Sequence, residues 1–265
     1  MQPYIKSKGY YLDYRHPRPT RRHRSEVVGI DYNGNRHKLD IVIEKNGSET
    51  QKGSPKAFIE VAWRRYSKHS KNKVQEISGA ILPLVQTHLQ SMPFYCAVLA
   101  GVFTASSIQQ LESEGFYVLH FTYEEIAQIF DTADLSIRWD EKTSEAQLKT
   151  LSDRLSQLSQ PTLDALQDEF FKQQRNKLSD LRNQLDLAFN LAVSEIIVLP
   201  THGTAYSLPS VHEAISFIAE YDESKSSPIL RYEITIRYNQ NLEYTMKCTD
   251  KTQAIRFLQP YMDKA

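Results

Sequence analysis

Two carboxylates of this chain sit where carboxylates are costly. The short apolar runs HKLDIVIE and AFIEVAW carry Asp40 and Glu60 in their interiors. An ionised carboxylate among strand residues is unfavourable unless it is paired or bound to a cation. Two of them on neighbouring strands predict a metal site, and that expectation restricts how the surrounding chain can be arranged.

The flanking sequence supplies the strands. EVVGIDY and HKLDIVIE enclose Asn33-Gly34-Asn35, and apolar runs on either side of an Asn-Gly pair predict a hairpin whose second strand holds Asp40. A polar loop from Lys45 to Lys56 leads to AFIEVAW, where a period of two puts Phe58, Glu60 and Ala62 on one face. From Ser70 to Leu89 the apolar residues Val74, Ile77, Ile81, Leu82 and Val85 recur at helical spacing. FYCAVLAGVF is continuously apolar and reads as a central strand. Thr104 can cap a helix that Gly115 ends, FYVLHF is a further strand, and Thr122 with Glu125 forms a capping box for a short helix. Residues 25–131 thus read strand-strand-strand-helix-strand-helix-strand, an α/β core with a mixed sheet flanked by helices.

After Asp131 the composition shifts to Leu, Gln, Ser, Asp and Lys. Leu148, Leu151, Leu155 and Leu158 form one stripe. Leu163, Leu166, Phe170, Leu178, Leu181, Leu185 and Ala188 form another, started by Pro161 and broken around Gln174. A helical hairpin over 132–193 follows, its stripe serving intramolecular packing or a homodimer contact. Beyond it, EIIVLP, VHEAISFIAEY, LRYEITIRY, LEYTMKC and a last helix from Asp250 predict a small α+β module of βαββα order over 194–265.

Charge is informative only by position. Lys+Arg and Asp+Glu number 32 each, so the chain is neutral overall. Residues 1–24, however, hold Lys6, Lys8, Arg15, Arg18, Arg21, Arg22 and Arg24 against one acid, Asp13, and read as a basic N-terminal arm. Arg64, Arg65, Lys68, Lys71 and Lys73 form a second basic run, directly after Glu60. Cys96 and Cys248 have no ligand-like spacing, which predicts free thiols in a reducing cytoplasm. No apolar run approaches the roughly 18 residues that would suggest a membrane span.

LDIVI followed by AFIEVAW, in this strand order over about residues 25–125, resembles the PD-(D/E)XK nuclease superfamily, the restriction-endonuclease-like fold. The resemblance implies a Mg²⁺-dependent DNA endonuclease of restriction type or a related defence or repair role, with Mn²⁺ able to substitute. It assigns Asp40 and Glu60 as metal ligands and catalytic residues, since hard oxygen donors suit Mg²⁺ and the ion lowers the pKa of a water and neutralises phosphate charge. Two positions depart from the motif: Leu39 replaces the usual Pro, and Ala62 replaces the usual Lys. Arg64, Lys68, Lys71 and Lys73 are the nearby cations that could stand in. Lys71 and Gln75, at i and i+4, share a helix face and are expected at the catalytic centre. Lys73 points away from Gln75 and is expected, with Arg64, Arg65, Lys68 and Lys71, to contact DNA phosphates.

Plainer readings stand beside these. Asp40 could pair with Lys38, and Glu60 with Arg36. Glu26 is either a third acid or an ordinary strand-start residue, and Trp63, Tyr66, His69 and His202 read as packing or surface groups. The missing Lys also permits a catalytically inactive nuclease fold that binds nucleic acid or protein.

Overall fold

The structure, a computed structural model, describes residues 1–66, 70–139, 142–201, 204–225, 231–240 and 242–262. Lys68, His69 and His202 therefore lie outside the described residues. In chain order the elements are α1 (Gln2–Ser7), β1 (Tyr10–Tyr14), β2 (Val27–Ile30), β3 (Arg36–Leu39), β4 (Ile41–Lys45), β5 (Ser54–Arg64), α2 (Ser70–Thr87), β6 (Phe94–Gly101), α3 (Ala105–Ser113), β7 (Tyr117–Thr122) and α4 (Tyr123–Asp131). There follow α5 (Glu145–Ser156), α6 (Gln160–Gln173), α7 (Arg175–Phe189), β8 (Val193–Pro200), β9 (Tyr206–Leu208), α8 (Val211–Glu220), β10 (Tyr232–Tyr238), β11 (Glu243–Cys248) and α9 (Lys251–Met262). The chain divides into two compact units, Met1–Leu185 and Asp186–Ala265.

The first unit is built on a five-stranded mixed sheet of order β1-β4-β5-β6-β7. β1 and β5 pair antiparallel to β4, whereas β5, β6 and β7 run parallel. Parallel neighbours need crossovers, and α2 and α3 supply them. Both helices lie on one face, where Val74, Ile77, Ile81 and Leu84 of α2 and Leu111 of α3 form one core with Val42, Phe58, Ala62, Ala97 and Leu99. On the opposite face α4 packs against β6, β7 and α6, with Phe121 of β7 and Phe170 of α6 5.0 Å apart at their ring centroids.

The expected hairpin forms around Asn33-Gly34, with Gly34 at φ 86° where a side chain would be strained. Its outgoing strand does not continue through Asp40, however. β2 and β3 make a separate two-stranded sheet, and the chain bends at Asp40 before entering the large sheet as β4. Asp40 therefore stands at the branch point between two sheets.

The first 24 residues are not a free basic arm. Tyr10–Tyr14 pair along β4 as an edge strand, and Arg18 is 1% exposed. Its guanidinium donates to Asp13 at 2.7 Å and Glu44 at 2.9 Å and to the carbonyls of Ser48 and Gln51, while Tyr11 stacks over it at 4.3 Å. Asp13 and Glu44 are themselves buried and sit on paired strands, so a cation had to be brought to them; Arg18 turns inward because two carboxylates already face it.

Among the described residues of 132–193 there are three helices, α5, α6 and α7, in place of the expected hairpin of two. The break at Gln174 separates α6 from α7, and Gln174 itself is buried. α5 buries none of its residues, α6 buries Leu166, and α7 buries Leu181 and Leu185. The division after Leu185 falls inside α7, eight residues before β8 begins at Val193, because the last turn of that helix belongs with the second unit.

The second unit holds a four-stranded antiparallel sheet of order β11-β10-β8-β9. α8 and α9 pack on each other, and Ile196, Val198, Ile234, Ile236, Ala214, Ile218, Ala254 and Leu258 are fully buried. The short β9, from Tyr206 to Leu208, is an addition to the βαββα order read from the sequence. Both cysteines are buried and free. Among the described residues no helix is long and apolar enough to cross a membrane.

Candidate functional site

The register of the large sheet brings the two carboxylates together. Ile41 pairs with Ile59, so one step back along β4 and one step on along β5 set Asp40 opposite Glu60. β4 begins at Ile41, which leaves the C-terminal half of β5 open along this edge. Asp40 fills part of the gap: its Oδ2 accepts from the Val61 backbone N–H at 2.8 Å, and its own N–H donates to Glu60 Oε1 at 3.1 Å. The side chain of each residue thus binds the backbone of the other strand, which fixes the branch point.

Their environments differ. Asp40 is exposed, while Glu60 is 6% exposed and faces the α2 side of the sheet together with Phe58 and Ala62. Burial, and after it the neighbouring Asp40 charge, pushes the Glu60 carboxyl up to about 7; the Asp40 N–H and the Lys73 ammonium oppose the shift, and a side-chain hydrogen bond with Asp40 adds to it. The two carboxyl groups are near enough to share a proton, and near neutrality one of them resists ionisation.

Lys73 is the cation whose charge acts on Glu60. It lies near the start of α2, its side chain is 15% exposed, and it donates to Glu76 at 2.8 Å. Ala62 lies on the same face of β5 as Glu60 and is buried in the core beneath α2. Lys71 and Gln75, expected at the centre, are both exposed. Helical spacing placed them correctly on a common face, but that face looks to solvent, because Val74, Ile77 and Ile81 orient α2 on the sheet.

The rest of the basic run is dispersed. Arg64 donates to the Trp63 carbonyl at 2.9 Å. The Arg65 guanidinium lies over Tyr123 at 3.9 Å and near Trp139 and Tyr66, so it packs among aromatic rings. Trp63 and Val61 point to the opposite face from Glu60 and remain 41% and 47% exposed, beside the Asp40 carboxylate that binds the Val61 N–H. Glu26 pairs with Lys38 at 2.7 Å, which takes Lys38 away from Asp40 and removes Glu26 as a third acid of the pair.

Among the described residues no group of three or more His, Cys, Asp or Glu could hold a metal ion. The donors present still suit Mg²⁺, which retains several waters and is often held by one or two carboxylates with the remainder supplied by phosphate. Burial is the main cause of the raised Glu60 carboxyl, and the Asp40 charge that adds to it is what a cation between the two would offset.

Comparison with known proteins adds little. No family model and no curated protein matches the chain. A crystal structure described as a protein of unknown function, AF1548, aligns with 10% identity over 69% of this chain and 94% of its own length, at a TM-score of 0.30.

Proposed function

We propose that this protein is a Mg²⁺-dependent DNA endonuclease with a restriction-endonuclease-like core, hydrolysing phosphodiester bonds at the Asp40–Glu60 pair. The observation that carries the reading is the opposition of those two carboxylates on β4 and β5, with the Lys73 charge of α2 acting on Glu60. The order β4 antiparallel to β5, followed by parallel β6 and β7 with α2 crossing between, supports the same reading.

Asp40 and Glu60 would hold the ion, which supplies charge to neutralise the phosphate and lowers the pKa of an attacking water. The chain's own groups do the rest. Glu60, which holds a proton up to near neutrality in the metal-free chain, would release it to take the ion, so binding of the ion would strengthen as pH rises through that range. Lys73 takes the part that the motif gives to a lysine at position 62, donating from the helix instead of the strand. It holds positive charge where charge develops on the phosphate oxygens.

The test is cleavage. With end-labelled DNA and Mg²⁺, the wild-type chain should produce nicks or breaks that chelator abolishes, and Asp40→Asn should reduce the rate at least about a hundredfold, since losing one positioned electrostatic group costs that much. Equal cleavage by the Asp40→Asn variant would assign the activity elsewhere.

A further inference from the structure

The face of β5 that looks away from α2 carries a row of residues that the rest of the sheet does not cover. At a period of two it presents Val61, Trp63 and, just past the strand end, Arg65. Farther across this face, Cys96 of β6 and Leu119 and Phe121 of β7 are buried, whereas Val61 and Trp63 stay 47% and 41% exposed. The surface at Trp63 is therefore open.

Trp63 is the exposed member of a fixed aromatic group. Its ring lies 6.3 Å from that of Tyr123, which in turn meets Trp139 edge-on at 6.4 Å. Tyr123 is held at its far end, where its hydroxyl donates to the Ile137 carbonyl and accepts from the Trp139 N–H. The Arg65 guanidinium lies flat on this group, 3.9 Å from the Tyr123 centroid, and its buried Nε has no hydrogen-bond partner among the described residues. The acids of α4 are committed elsewhere, Glu124 and Asp131 to Arg138 and Glu125 to Lys177. Arg65 is thus held in place by rings, and its charge stays available to an anion that arrives from outside.

The row begins at the carboxylate pair. Asp40 accepts from the Val61 N–H at 2.8 Å, and because β4 starts at Ile41 the edge of β5 is open from there on. A polymer that reaches the carboxylates at this edge continues along Val61, Trp63 and Arg65, about 13 Å of strand. An open indole followed by an uncompensated guanidinium, in line with that pair, matches the alternation of flat base and anionic phosphate in a nucleic-acid strand.

We infer that Trp63 is a stacking platform for one unstacked base of the nucleic-acid substrate proposed above, on which the assignment rests, and that Arg65 faces the phosphate beside it. A base that lies on Trp63 has left its own duplex. The preferred substrate therefore carries a single-stranded segment next to the bond that is cut.

Fluorescence anisotropy in chelator, with the full-length chain, tests this on a labelled oligodeoxyadenylate single strand and on a blunt DNA duplex. Trp63→Ala should weaken the single strand about tenfold, the size expected for one stacked base, and leave the duplex within about twofold. Trp63→Phe, which keeps a ring, should hold the single strand within about threefold of wild type. That variant should also lose the quenching of intrinsic fluorescence that the single strand causes in the wild-type chain. Tyr32→Ala, which removes an exposed aromatic at the β2–β3 turn, should change neither probe. Arg65→Gln should flatten the slope of log affinity against log salt on the single strand by about 0.7, one phosphate contact. Three results overturn the platform: equal weakening of both probes by Trp63→Ala, a loss with Trp63→Phe as large as with Trp63→Ala, or no single-strand binding by the wild-type chain, as a face built for a protein partner would give. An unchanged salt slope overturns the Arg65 contact. Single-strand binding that needs Trp63, in a chain that cuts nothing with Mg²⁺, contradicts only the hydrolysis reading. Cleavage by a chain whose Trp63→Ala variant binds and cuts as the wild type does contradicts only the platform.

Discussion

Glu60 binds its proton more tightly in the folded chain than in the unfolded one, because burial and the Asp40 charge raise its carboxyl from the ordinary 4.5 to about 7. Between those two pH values the native state holds a proton that the unfolded state has released. Stability contributed by this residue is therefore greatest at low pH, falls as pH rises through the window, and is replaced by a full penalty above about 7. Glu60→Gln should stabilise the protein by roughly 1–3 kcal/mol at pH 8 and change little at pH 4.5, measured by urea unfolding. Equal destabilisation at both pH values would mean that the carboxylate is a satisfied structural group. Asp40 and Glu60 were legible in the sequence because carboxylates interrupted apolar strands. Lys73 was legible as basic but not as a partner of Glu60, since its direction depends on how Val74, Ile77 and Ile81 seat α2 on the sheet, which residue spacing alone does not determine.

Among elements, α2 decides which cation reaches the site. Lys73→Ala should lower the cleavage rate at least about tenfold and raise the Glu60 titration midpoint further, whereas Lys71→Ala and Gln75→Ala, on the solvent face, should leave both within about twofold. Activity lost with Lys71 and kept without Lys73 would reverse the assignment. β1 depends on a different cation. Arg18→Met leaves Asp13 and Glu44 buried without their shared partner and should cost roughly 3–5 kcal/mol in urea unfolding. A loss below about 1 kcal/mol would show that the first 24 residues contribute little to the fold. The hairpin at Asn33-Gly34 could be read from its turn residues, and so could the strand-helix alternation from Ser54 to Thr122. The split of the hairpin strand at Asp40 could not, because LDIVI is uniformly strand-like and only the competition between two sheets bends it there. β1 escaped notice for a similar reason, since YYLDY lies among prolines and arginines whose partners are distant in sequence.

At the scale of the whole molecule, the change of composition after Asp131 announced a second module, and β8 to β11 do form a sheet of their own. The boundary lies within α7 and not at Ser194, since a helix can end one unit and begin the next without a change in its pattern. The first unit contains everything on which the functional reading depends: the carboxylate pair, Lys73 and the sheet that positions them. Its central claim is that Asp40 and Glu60 together bind a divalent cation, with Glu60 giving up its proton to do so. Calorimetric titration of Mn²⁺ into the full-length chain at pH 6.5, in buffers of different ionisation enthalpy, measures both the ion and the proton. The wild-type chain should bind Mn²⁺ with release of a fraction of a proton, and Asp40→Asn should bind at least about tenfold more weakly. Unchanged Mn²⁺ affinity in the Asp40→Asn variant, or no binding by the wild-type chain, would contradict the account.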